Sequence, residues 1–161
     1  METHFRIIAV PRERFTHLFS LSDSELAAHG AQRVVVDANP GYPCRVSLVD
    51  APIGERVILT PFLHHDVASP YRSSGPIYVR ETAHTVQPEM DEIPIMFRHR
   101  LLSVRAYDRD ALMTGAQVVA GHGVQDVITQ FFADPDTAYI HLHNAGPGCF
   151  NALVERRRSI D

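Results

Sequence analysis

The segment 138–154, AYIHLHNAGPGCFNALV, constrains the chain more than any other stretch. Successive side chains on a strand point to opposite faces. Ala138, Ile140 and Leu142 therefore make one apolar face, and Tyr139, His141 and His143 make a polar one. The run Asn144-Ala145-Gly146-Pro147-Gly148 is rich in turn formers, and a second strand is predicted over 149–155. A five-residue loop would set His143 opposite Cys149, Leu142 opposite Phe150, His141 opposite Asn151 and Ile140 opposite Ala152. That register keeps the two faces chemically separate, which is what fixes register in a half-buried hairpin.

The same reading supplies further strands over 5–10, 32–38, 44–49, 56–63, 76–80, 101–107 and 117–120. Residues 64–75 are polar and irregular and read as an exposed loop. Pro11 opens a short helix that presents Phe15, Leu18 and Phe19 on one face. Ser22 is the expected N-cap of the next helix, with Glu25 completing a capping box. Leu21 and Leu26 form a hydrophobic staple there, and Gly30 supplies the stop. Pro94 starts a short helix that includes Phe97. Val124, Val127, Ile128, Phe131 and Phe132 recur at helical spacing until Asp134-Pro135 ends the run. Many strands joined by short turns imply an α+β fold: a largely antiparallel β-sheet, strongly curved in one variant, with three or four short helices packed on it. With 161 residues and 45% apolar side chains, residues 1–161 are expected to form one globular domain.

Composition narrows the function classes. Fifteen basic against nineteen acidic residues give a net charge of −4, a poor match for a nucleic-acid backbone. No apolar run approaches the roughly 20 residues of a membrane span. The first residues lack the basic start and apolar stretch of a secretory signal. A cytoplasmic protein is expected, with Cys44 and Cys149 as free thiols. Cys44 falls on an apolar strand face and reads as a core residue.

Cys149 and His143 are the candidate catalytic pair, because a thiol beside an imidazole, with β-carbons about 5 Å apart, is the minimal activated nucleophile. Other strands extend the polar face. Arg45 and Ser47 share one parity, as do Tyr78 and Arg80, and Ser103, Arg105 and Tyr107. If these strands are neighbours, Arg45, Arg80, Arg105, His141 and His143 point into one cationic concavity suited to a small carboxylate or phosphate. Asn144 adds a polar group from the loop, and Tyr71 and Arg72 could close over the site. Of the adjacent His64 and His65, only one can face it. Two alternatives stay open. His141, His143 and Cys149 have the donor types of a zinc or copper site, or the polar face is simply a solvated or interaction surface. Gly121-His122-Gly123 precedes a helix but lacks the third glycine of a dinucleotide turn, and no cofactor is indicated.

The stretch 21–59, containing SDSELAAHGAQRVVVDANPGYPCRVSLVDAPIGERVIL, and the segment AYIHLHNAGPGCFNALV together resemble the bacterial domain of unknown function family 1203. SPYRSSGPIYVRE and RLLSVRAYD, between them, fit as well. The resemblance spans almost the whole chain. It implies a bacterial, single-domain protein; it implies no activity and carries no catalytic residue over.

Overall fold

The computed structural model describes residues 2–158. Its strands divide between two antiparallel sheets. The larger contains β1 (Thr3–Ile8), β5 (Leu101–Tyr107), β6 (Met113–Ala120), β7 (Tyr139–Asn144) and β8 (Phe150–Arg158), in the order β1-β8-β7-β5-β6. The smaller is β2-β3-β4, from Gln32–Val35, Arg56–His65 and Ser73–Arg80. Four short helices complete an α+β fold: α1 (Thr16–Phe19), α2 (Asp23–Ala28), α3 (Ile95–Arg98) and α4 (Val124–Ala133). No described helix is long and apolar enough to cross a membrane.

Alternation explains the larger sheet. Leu102, Val104 and Ala106 on β5, Ile140 and Leu142 on β7, and Ala152 and Val154 on β8 are buried together beneath α3 and α4. The helical periodicity is borne out, for Val124, Val127, Ile128 and Phe132 face this core and Phe131 packs at its edge. A second core joins Ile58, Ile77 and Val79 of the smaller sheet to Phe15, Leu18 and Leu26 from the N-terminal helices. Ser22 caps α2 as expected: its Oγ accepts from the Glu25 N–H at 3.2 Å. Gly30 follows with φ at 69°, the left-handed stop that glycine adopts without strain.

Two expected elements differ. Residues 44–49 are not a strand but a tight turn. Cys44 N–H donates to the Val49 carbonyl and Leu48 N–H to the Cys44 carbonyl, with Leu48 at φ 52°. The alternation misleads because Cys44, Val46 and Leu48 are buried as a strand face would be, yet Arg45 between them is buried too. The expected loop over 64–75 shrinks to 66–72, because β3 runs on to His65 and β4 starts at Ser73. A bulge between Phe62 and His65 turns the polar end of β3 inward, where the larger sheet takes up both histidines.

Candidate functional site

The hairpin forms, but its register differs from the five-residue-loop expectation by one residue at His143 and by two beyond it. His143 lies opposite Phe150, Leu142 opposite Ala152, His141 opposite Leu153 and Ile140 opposite Val154. Asn151 bulges out of the ladder between the first two pairs. The loop closes through Asn144 N–H to the Cys149 carbonyl and Gly148 N–H to the Asn144 carbonyl, both at 2.9 Å. Cys149 is therefore not the cross-strand partner of His143. His143 instead donates from Nδ1 to the Gly148 carbonyl at 2.9 Å. A carbonyl can only accept, so Nε2 carries the lone pair.

Part of the polar face of the larger sheet is buried, with His141 and His143 almost wholly covered. The end of β3 covers it, and His64, His65, His141 and His143 form a cluster with Phe150, Tyr107 and Tyr139. His64 stacks on Phe150 at 5.0 Å between centroids and meets His143 edge-on at 5.1 Å. His65 meets His141 at 4.8 Å. Both adjacent histidines thus join the site, because the bulge breaks the strict alternation that would send one away. His65 donates from Nδ1 to the Tyr71 carbonyl, leaving Nε2 to accept from the Tyr139 hydroxyl at 2.6 Å.

Burial holds His64, His141 and His143 in the neutral form. Burial, helped by repulsion from His65 and Arg105, pushes His64 down to about 4. Burial, then the neighbouring histidines and Arg105, pushes His141 down to about 2. Burial also pushes His143 down to about 3 against its bond to Gly148. Three buried nitrogens here lack a partner among the described residues: His64 Nδ1, His141 Nδ1 and His143 Nε2. Among the described residues, no group of three or more His, Cys, Asp or Glu side chains is placed to hold a metal ion, the set His141, His143 and Cys149 included.

Beside the cluster a cleft of about 1000 Å³ opens between the sheets. Arg45, Arg105, His143, Asn144 and Cys149 line it, as the parity argument expected for the first three. Arg80 and His141 do not. Arg80 is held away by Glu55, in a paired contact at 2.9 and 3.0 Å, and His141 is sealed beneath His64, His65 and Phe150. Tyr71 packs against Tyr107 and Arg72 pairs with Asp66; neither reaches the cleft wall. His64 lines it too, and His99 and Arg100 do so without having been singled out from the sequence. Arg100 is bound by both carboxylate oxygens of Asp50 and by the Met96 carbonyl.

Arg45 is the least expected feature. Its side chain is 1% exposed. Nε donates to the Phe150 carbonyl at 2.8 Å, Nη1 to the Pro43 carbonyl at 2.5 Å and Nη2 to Cys149 Sγ at 3.3 Å. Burial pushes this guanidinium below its ordinary range, and the sulfur opposes that shift. Asn144 Nδ2 donates to the same sulfur at 3.2 Å. Asn151 fixes that amide's orientation by donating to Asn144 Oδ1 at 2.7 Å, so the bulged residue serves the site. The core reading of Cys44 agrees with its full burial.

The sequence model of the family described as protein of unknown function (DUF1203) matches residues 41–156. The chain belongs to this family. No curated protein and no solved structure matches it. The DUF1203 span begins at Gly41, itself on the cleft wall, and contains every other residue of that wall. It leaves out β1, α1, α2 and β2, so the stretch 21–40 that carried part of the resemblance lies outside the match.

Proposed function

We propose that the cleft between the two sheets is a binding site for a small anionic molecule, a carboxylate or phosphate, in a cytoplasmic protein that the family resemblance implies is bacterial. One observation carries the reading. Three arginines and three histidines line the cleft, and no aspartate or glutamate does. The charge of Arg100 is already matched by Asp50, and Arg45 is wholly engaged. Arg105 is different. Its Nε donates to Ser103 Oγ at 3.2 Å, and among the described residues it forms no ion pair. A part-buried guanidinium without a counter-charge is the natural anchor for an anion, which it can grip through two parallel N–H bonds.

Titration calorimetry at low ionic strength tests this, with inorganic phosphate and a short monocarboxylate as probes. Charge-assisted hydrogen bonds contribute about 1.5–3 kcal/mol, so Arg105→Gln should weaken binding by about tenfold or more. Absence of binding to either probe, or equal affinity in Arg105→Gln, would overturn the proposal.

A further inference from the structure

A fully buried guanidinium needs a compensating charge, because an unpaired ion in a low-dielectric interior is strongly disfavoured. Two of the three hydrogen-bonded nitrogens of Arg45 end on neutral carbonyls. The third ends on Cys149 Sγ, the one bonded group able to carry a negative charge. A second donor, Asn144 Nδ2, reaches the same sulfur from an amide whose orientation Asn151 locks. Two N–H donors converging on one sulfur match an anionic acceptor better than a thiol, whose sulfur accepts only weakly. Cys149 is half-buried in the cleft wall, whereas Cys44 is sealed in the core. His143, 1% exposed, stands in the same wall with its Nε2 lone pair unpartnered, a place for a donor that the described side chains do not supply.

From this geometry we propose that Cys149 is a thiolate nucleophile, held as the counter-ion of Arg45 and oriented by Asn144, that attacks small anionic electrophiles bound in the cleft. Resting on the anion-binding reading, the inference names the substrate class: a molecule with a carboxylate or phosphate for Arg105 and an electrophilic carbon bearing a leaving group. The step balances within the site. The sulfur lone pair forms the S–C bond, and the leaving group departs with the electron pair of the bond that breaks. One anion is consumed and one released, with no oxidant or external proton. The roles differ from the sequence expectation, because Arg45 and Asn144 hold the sulfur and His143 does not.

Iodoacetamide and iodoacetate make the test, since they share the reactive carbon and the leaving iodide and differ in charge. The native protein is alkylated with each near pH 6.5, about two units below the ordinary thiol range. Labelled sites are located by mass spectrometry, with glutathione as the reference thiol. Cys149 should react about tenfold faster than glutathione, and Cys44 should stay unlabelled. Asn144→Asp keeps the shape and the bond from Asn151 but replaces the donor with a negative charge, so it should slow both reagents about tenfold. Cys149 should also show a higher iodoacetate-to-iodoacetamide ratio than glutathione, and Arg105→Gln should bring that ratio down to the glutathione value. A native Cys149 no faster than glutathione, or rates indifferent to Asn144→Asp, overturns the thiolate. Fast labelling with no preference for iodoacetate leaves the thiolate standing and overturns the anion-binding reading beneath it.

Discussion

Gly121 is the position at which a single methyl group should do most damage. The chain entering α4 crosses the end of α3 there, backbone against backbone. A Cβ on residue 121 would stand 1.8 Å from the Phe97 carbonyl oxygen and 2.8 Å from both the Phe97 carbonyl carbon and Arg98 Cα. Every one of these atoms is main chain, so no rotamer change relieves the overlap. Non-bonded carbon contacts settle at about 3.5–4.0 Å, which means the two segments must part by more than about 1 Å. That movement breaks the bond from Gly121 N–H to the Arg100 carbonyl, 2.8 Å long, and loosens Phe97, which is fully buried. Overpacking costs about 1–3 kcal/mol and the lost hydrogen bond about 1 kcal/mol, so Gly121→Ala should lose about 2–4 kcal/mol. For a chain of this length the melting temperature should fall by roughly 10 °C. Urea denaturation gives the free energy directly, provided that the slope matches the parent's. Gly146→Ala is the control. It lies in the wall of the cleft between the sheets with nothing within 4 Å of its added Cβ, and its change should stay within about 0.5 kcal/mol. A Gly121→Ala protein that melts within about 2 °C of the parent would refute the close-approach reasoning.

Ser22→Ala removes the acceptor of the Glu25 N–H and should cost about 1 kcal/mol by chemical denaturation; no measurable loss would show that the cap bond adds nothing to stability. Acid should weaken the fold through the histidine cluster. His64, His141 and His143 take up protons in the unfolded chain near pH 6.5 but resist them when folded, down to about 4, 2 and 3. Stability is therefore greatest above pH 6.5 and falls as the pH drops from there through 4, where the unfolded chain binds more protons. His4, raised through its bond to Asp91, opposes this with a single proton. Denaturation midpoints measured from pH 8 to 4 check the slope, and a flat profile between pH 7 and pH 5 would rule the mechanism out.

The elements easiest to read in the sequence were those whose cause is local. Ser22 and Glu25 meet within one turn, the helical period of 124–132 needs no partner to be visible, and β5 falls on 101–107 because its alternation is uninterrupted. The site was legible only in part. Parity placed Arg45, Arg105 and His143 on a common side, and the loop drew attention to Asn144 and Cys149. Parity breaks wherever a bulge intervenes, which is why the partner of His143 was misjudged and why His64 and His65 both turn inward. Arg80 carries the right parity, but Glu55 captures it, a contact between strand end and turn that no local pattern announces. Arg100 left no signal at all. It precedes β5 and owes its place to Asp50, fifty residues away along the chain. The buried Arg45 was visible as a residue and not as an interior charge, since only the tertiary fold brings a sulfur to its guanidinium.

The bulge at Asn151 makes the cleft depend on whether a count is odd or even. Phe150 and Leu153 both face the histidines while Ala152 and Val154 face the helices, a pattern one residue out of step with simple alternation. Removing one residue from 150–152 would restore strict alternation and turn everything on one side of the cut through half a rotation relative to the other. Phe150 would leave the imidazole stack, and the sulfur would leave its guanidinium. Length change in this hairpin is therefore quantised. Relatives that keep the cleft must gain or lose residues here in pairs, or confine the change to the tip at Gly146 and Pro147, past the bond from Ala145 N–H to the Leu101 carbonyl.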